Sequence, residues 1–389
     1  METERIYLDH NATTPLREEV VESMARVLRD LPGNPSSPHR EGALARRRIG
    51  EAREQVAGCL GVAGRSVVFT AGATEANNLV LRGLLGQGAS VHPRHLVTST
   101  AEHPSVLAPA EDLEKGGVRI SRLSVDDEGM VERSGWLEAL EHAPSLVSLL
   151  WANNETGVVQ PIEEWAEEAS ARGVPFHVDA TQAVGKWPIS LDQTSIDYLS
   201  CSAHKLNGPK GVGCLIHRAG PAPSPLLAGG GQERGMRGGT ENVAGIVGFG
   251  VACELAQGEL AERMDHYQRL RDRLWDALKQ TLPSVRRNGP DPSAVLPNTL
   301  NVEIPHTAGD VLVEALDLEG VAVSAGAACH SGSVSPSHVL VAMGRSAQQA
   351  QASLRLSVGL GNDSGQIDRA AEWIGLLARR AGAENSDAG

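Results

Sequence analysis

Short apolar runs alternating with longer amphipathic stretches limit what this chain can fold into more than any other feature. The runs Val67-Val68-Phe69-Thr70, Leu96-Val97-Thr98-Ser99, Leu146 to Trp151, Phe176-His177-Val178-Asp179, Asp197 to Cys201 and Val212 to Ile216 have strand length. Helical patterns over 105–115, 136–142 and 162–172 lie between the earlier ones. Strands buried on both faces read as near-continuous apolar runs. Strands alternating with helices therefore predict an α/β protein with a parallel-rich sheet covered on both sides.

The pattern changes after Pro221. Residues 221–240 are rich in Gly, Pro and Arg, follow no period, and are too long for a simple connection, so they read as a functional or disordered loop. A long helical stretch is predicted from Asn242 to about Thr281. Beyond it, strands over 299–304, 320–324 and 353–358 and helices over 310–318 and 367–380 suggest a smaller α+β domain beginning near residue 260. Residues 381–389 are expected to fray.

Charge and cysteine usage exclude several function classes. Against 35 Lys and Arg stand 48 Asp and Glu, a net charge of −13. Nonspecific nucleic-acid binding depends on cations displacing phosphate counterions, so direct nucleic-acid binding is not expected. Arg46-Arg47-Arg48, with Glu41, Glu51 and Glu54 nearby, reads as a solvated helix face. No run approaches the ~18–20 apolar residues that span a bilayer, and no basic segment followed by an apolar run opens the chain. A cytoplasmic protein without membrane contact is the expectation. The five cysteines, Cys59, Cys201, Cys214, Cys253 and Cys329, are widely spaced and form no C-x-x-C. Reduced thiols are expected, with neither a disulfide framework nor a metal site.

In open α/β sheets ligands sit at the carboxyl ends of the strands, and four segments there carry unusual residues. Thr70 to Asn77 joins a strand to a helix through small residues; it is either an ordinary capped turn or an anion cradle at a helix start. Asp179 ends an apolar strand, where a carboxylate can cap the next turn or hold a proton on a heterocycle nitrogen. Lys205, after Ser202-Ala203-His204, is either a surface lysine or a Schiff-base amine. Cys329 lies in the Gly/Ser/Ala-rich stretch Ser324 to Pro336. It is either a merely exposed thiol or a nucleophile on a swinging loop, whereas the other four cysteines suit buried positions.

In order along the chain, these segments resemble the NifS/IscS-type cysteine desulfurases, pyridoxal-phosphate enzymes of the class V aminotransferase group. The matching motifs are Tyr7 to Pro15, Gly33 to Ser37, Phe69 to Asn77, Ala101-Glu102-His103 and Asn153 to Gly157. They continue with His177 to Gln182, Ser202 to Lys205, Gly229 to Thr240, Gly326 to Ser331 and Leu354 to Gly359. Each is weak or moderate alone; together they cover nearly the whole chain in one order.

The resemblance implies a type I fold of pyridoxal-phosphate-dependent transferases. A large cofactor-binding domain with a mainly parallel seven-stranded sheet would span 16–259. A small α+β domain, 1–15 and 260–389, would carry the cysteine loop. Lys205 would bind the pyridoxal 5'-phosphate aldehyde, Asp179 would pair with the pyridine nitrogen, Gln182 would bond the phenolic oxygen, and His103 would stack on the ring and shuttle protons. Ala73, Thr74, Ser202 and His204 would hold the phosphate. Thr240 would reach the phosphate of the neighbour in a homodimer. Arg355, with Asn154 and Asn11, would bind the substrate L-cysteine, Arg355 gripping its carboxylate bidentately. Cys329 would take the sulfur as a persulfide while alanine departs.

The stretch from Cys329 to Arg355 is long, as in the NifS/IscS subtype, which implies direct transfer to a sulfur-acceptor protein. Trp151 stands where the family often has a histidine or small polar residue. The chain ends soon after its last helix, without the longer tail by which the housekeeping bacterial enzyme engages its iron–sulfur scaffold. Fe–S assembly, tRNA thiolation and DNA phosphorothioation are all open as destinations; in the last, a partner protein would touch the DNA. Two other readings are a selenocysteine lyase, whose cysteine loop is similar, and a partner-dependent sulfur-relay subunit with low intrinsic activity. A plain aminotransferase ranks below these because it has no use for Cys329.

Overall fold

The computed structural model describes residues 5–86, 94–325 and 335–387. Cys329 and its motif lie outside the described residues.

The chain opens with a two-residue strand, β1 (Ile6–Tyr7), and helices α1 (Glu18–Asp30) and α2 (Arg40–Leu60). Then β2 (Val67–Thr70), α3 (Ala73–Leu85), β3 (His95–Ser99), α4 (Pro104–Lys115), β4 (Arg119–Leu123) and α5 (Arg133–Glu141) alternate. The alternation continues through β5 (Leu146–Leu150), α6 (Ile162–Ser170) and β6 (Phe176–Asp179), followed by β7 (Tyr198–Ser202) and β8 (Gly213–His217).

Seven of these strands form one sheet in the order β2-β8-β7-β6-β5-β3-β4. All run parallel except β8, which is antiparallel to both neighbours. The mainly parallel seven-stranded sheet is the one expected. The six predicted strands are present within a residue or so of their predicted ends. The edge strand β4 escaped prediction because Arg119-Ile120-Ser121-Arg122-Leu123 has no apolar run and only Leu123 is buried. An edge strand has one neighbour and solvent beside it, so it needs no such run. On one face, the Trp136 ring of α5 stacks on Trp165 of α6 at 5.2 Å and meets Phe176 of β6 edge-on at 6.0 Å.

The stretch predicted as one helical run is two helices, α7 (Val243–Gly258) and α8 (Leu260–Thr281), bent by 75° at Glu259. α7 is apolar nearly all round and largely buried, while α8 is amphipathic, so the two need different surroundings. Glu259 fixes the corner, accepting from Arg17 at 2.9 Å and Arg263 at 2.8 Å. No single described helix is long and apolar enough to cross a membrane.

The remaining elements are β9 (Arg286–Arg287), β10 (Thr299–Glu303), α9 (Gly309–Leu318), β11 (Val321–Ala322) and β12 (Ser324–Ala325). Two short helices, α10 (His338–Ala342) and α11 (Ala347–Gln351), lead to β13 (Ser353–Ser357) and α12 (Ser364–Asp387). The predicted strand over 320–324 is split in two: β11 pairs with β1, and β12 pairs with β13 in the antiparallel sheet β12-β13-β10-β9. α12 continues to Asp387, into residues expected to fray. A hydrophobic cluster drawn from both ends of the chain, including Ile6, Leu8, Leu274, Val302, Leu356 and Ile374, lies among these elements.

Gly157 ends the Asn153 to Gly157 turn at φ +78°, where a Cβ would sit 2.7 Å from Thr299 Cβ and 2.8 Å from Val295 Cγ1. Gly173 has a similar φ, +68°, but open space around it. Gly157→Ala therefore combines strain with overpacking and is expected to lower unfolding free energy by about 2–3 kcal/mol, and Gly173→Ala by about 1 kcal/mol. Urea denaturation of the two variants checks the difference.

Candidate active site

β7 ends at Ser202, and a single tight turn, Ala203–Lys205, carries the lysine back toward the sheet. Its amine donates to the main-chain carbonyls of Asn11 at 2.5 Å and Ala12 at 2.8 Å. Asp179 ends the adjacent strand β6 and is buried. Its carboxylate accepts from Asn77 Nδ2 at 2.7 Å and the Thr181 N–H at 3.0 Å. The two groups face one cavity of about 1010 Å³, which Asn11, Ala73, Thr74, His103, Asn154, Gln182, Ser202, His204 and Arg355 also line.

The structure thus brings together every predicted site residue except two. Thr240 is exposed and does not line this cavity. Cys329 lies outside the described residues.

At one end of the cavity α3 begins after Gly72 without a side-chain cap. The first amides of a helix have no partner within it and favour an anion. Thr74 lies in the first turn of that helix, Ser202 Oγ lies beside Gly72, and His204 and Lys210 also line the cavity. The backbone is tightly folded here: a Cβ on Gly213 would lie 2.5 Å from the Cys201 carbonyl oxygen and 2.8 Å from Gly72 Cα. Burial, then Lys205, Lys186 and Lys210, lower the His204 pKa to about 4, so its imidazole is neutral.

His103 caps α4, its Nδ1 accepting the Ser105 N–H at 3.0 Å, which leaves the ring proton on Nε2. Burial foremost, with Lys205 and His338 adding, pushes its pKa down. Asn77 Nδ2 also donates to Ser105 Oγ at 2.8 Å, and Ser105 Oγ lies 2.8 Å from His103 Nδ1. A continuous chain of hydrogen bonds therefore joins Asp179 to His103 through Asn77 and Ser105.

Across the cavity, Arg355 sits on β13 opposite Asn301 and Ser324. Its Nη2 pairs with Asp9 Oδ1 at 2.8 Å and Ser324 Oγ at 3.1 Å, and Nη1 donates to the Asn154 carbonyl at 3.2 Å. Its Nε is buried without a partner among the described residues.

Reasoning from sequence missed Asn77, Ser105 and Lys186 as members of this network. Asn77 stood inside a recognised motif, but nothing local says that its side chain bridges the end of β6 and the first turn of α4. It also missed Glu102, which is fully buried and accepts from Ser99 Oγ at 2.7 Å and the Leu150 N–H at 3.1 Å. Glu102 Oε2 has no partner among the described residues, and burial pushes the carboxyl pKa up to about 8.

Residues 6–370 match the Aminotransferase class-V family. A cysteine desulfurase of Enterobacter agglomerans is 44% identical over 376 residues, covering 96% of this chain and 93% of the relative. The chain belongs to the class-V aminotransferases, in their cysteine desulfurase branch. A NifS-like protein of known structure superposes with a TM-score of 0.90 at 36% identity, covering 97% of this chain and 100% of that one. SspA, solved in complex with cysteine, superposes at 0.77 with 36% identity, covering 91% of this chain and 99% of that one. The fold is type I, as the family match and the superposition show, and the mainly parallel seven-stranded sheet agrees with it.

Glu102 makes stability depend on pH. Between the ordinary carboxyl value of 4.5 and about 8, the folded protein holds a proton that the unfolded chain has released. Its contribution is present in full below that window and is lost as pH rises through it. Wild type is expected to lose stability relative to Glu102→Gln across this range, and chemical denaturation of both proteins at several pH values measures it.

Proposed function

We propose that this chain is a pyridoxal-phosphate-dependent cysteine desulfurase that converts L-cysteine to L-alanine and passes the sulfur, held on Cys329, to an acceptor protein. The observation that carries the reading is the meeting of Lys205, Asp179 and Arg355 at one cavity from two different sheets. The residues fit the cofactor: a buried carboxylate ends one strand, an amine follows the next, and an uncapped helix start lies beside a backbone crevice that a Cβ would fill. Pyridoxal phosphate bound there would supply an aldehyde for amines and a ring that withdraws electrons from the adjacent carbon.

Each residue then has a task. Lys205 would hold the cofactor, and its amine would take the substrate α-proton. Asp179 would pair with the ring nitrogen, and its bond from Asn77 holds the carboxylate in place. Thr74, Ser202 and His204 would bind the phosphate. Arg355 lines the cavity with its guanidinium already oriented by Asp9, which would set it to grip the substrate carboxylate. His103, its pKa pushed down by burial and its Nδ1 accepting the Ser105 N–H, is suited to exchange protons through Nε2. The Cys329 thiolate attacks the substrate sulfur. A sulfur–sulfur bond forms as the Cβ–S bond breaks, its electron pair passes to carbon, and protonation yields alanine and a Cys329 persulfide.

The enzyme works as a cytoplasmic homodimer in this reading. The exposed Thr240, with the nearby exposed Leu226 and Leu227, supports a partner over this face. The persulfide serves Fe–S assembly, tRNA thiolation or DNA phosphorothioation through an acceptor protein.

Lys205→Ala is expected to lose the yellow colour of lysine-bound cofactor, and Cys329→Ala to keep it. Sulfide and alanine release from L-cysteine under reductant checks the rest: wild type makes both, and each variant makes neither. Wild type that ignores L-cysteine but turns over selenocysteine would move the assignment to a lyase. Turnover only on adding an acceptor protein would move it to a relay subunit.

A further inference from the structure

A second lysine sits behind the cavity wall. Lys186 follows Gln182 by four residues in the turns after β6 and is 4% exposed. Lysine is rarely buried without an anionic partner, and no carboxylate among the described residues forms an ion pair with this one. Its amine donates to Gln182 Oε1 at 2.7 Å and to Asn11 Oδ1 at 3.5 Å.

The consequence falls on Gln182. A carboxamide has a donating and an accepting end of nearly the same shape, so its neighbours decide which end faces a ligand. The Lys186 amine donates to the Gln182 oxygen, and on the other side the Asn11 main-chain carbonyl, which can only accept, takes one hydrogen from Nε2 at 2.9 Å, so the two contacts together fix the carboxamide. Gln182 lines the cavity, so its second amide hydrogen remains for a ligand. The same Asn11 carbonyl accepts from Lys205. Asn298 Nδ2 fixes the Asn11 side chain from the far side, donating to Oδ1 at 2.9 Å.

We propose that Lys186 is a positioning residue that locks the Gln182 carboxamide with its NH₂ toward the cavity, the orientation needed by an acceptor such as the phenolic oxygen of pyridoxal phosphate. This rests on the cofactor reading above. The charged and titratable groups around Lys186 are Lys205, Arg355, His10 and His204, with Arg263 and Tyr267 beyond His10. No acid faces it. Burial, then Lys205 and Arg355, hold its pKa well below the usual lysine value.

The sign of its effect follows. A donor on the phenolic oxygen favours the ionised oxygen and so lowers the pH at which lysine-bound cofactor changes colour. Without Lys186, Gln182 Oε1 loses its donor and the carboxamide is held at the Asn11 carbonyl alone, so its NH₂ is less firmly aimed at the cavity, and any positive charge on Lys186 is lost as well. Both changes raise that pH.

Holoenzyme absorbance is titrated against pH for wild type, Lys186→Met, which has no donor, and Lys186→Gln, whose amide is too short to reach. Both variants are expected to shift the colour transition upward by about one pH unit, with kcat falling more than KM rises. A thermal melt of each reports folding. If either folded, cofactor-loaded variant titrates at the wild-type pH, the inference is overturned, and the cofactor reading stands. Wild type without a lysine-bound band would overturn the cofactor reading itself, and this inference with it.

Discussion

The main-chain carbonyl of Asn11 is the point on which the active site depends. It accepts from both Lys205 and Gln182, so the lysine amine and the Gln182 carboxamide share one fixed reference. Asn11 is in turn bound on every side. Its N–H donates to Ser357 Oγ, its side-chain amide to Thr299 Oγ1, and its side-chain oxygen accepts from Asn298. Two residues earlier, Asp9 orients Arg355. One short N-terminal segment thus sets the spacing between the end of the large sheet and the small one.

The cavity opposes the charge of the chain as a whole. The protein carries −13, yet Lys205, Lys210 and Arg355 line this cavity and Lys186 lies behind it. Burial, with Lys205 and His338 adding, pushes the His103 pKa down, and burial with Lys205, Lys186 and Lys210 lowers that of His204 to about 4. Asp179 is the buried carboxylate among them, tied by Asn77 and the Thr181 amide. Such a site draws in anions while its imidazoles stay available for proton exchange, and field lines concentrate in a low-dielectric cleft.

How much of this was legible in the sequence follows from the range of the interactions. β6 and β7 are buried on both faces, so their apolar runs marked them, and their last residues pointed to Asp179 and Lys205. The strand β4, at the edge, left no such trace. The 75° corner at Glu259 was hidden because helical period persists through it; only the change from all-round apolar to amphipathic character hinted at two helices. The roles of Arg355 and Asn11 came from motif resemblance, since no local rule brings the two ends of a chain together. Lys186 and Asn77 are legible only in three dimensions, where each bonds a residue already suspected.

The contacts that complete the site have a temporal consequence. Asp9 meets Arg355 across 346 residues of chain, and Asn11 meets Asn298 across 287. Contacts of such separation form late and slowly, and during synthesis they must wait for the C-terminal strand to emerge. The large sheet has all its strands by His217. A nascent chain therefore owns the lysine and the aspartate long before it owns the arginine. In the proposed reading, substrate recognition is the last property the ribosome delivers, and an incomplete chain holds the lysine without the arginine that would seat the substrate.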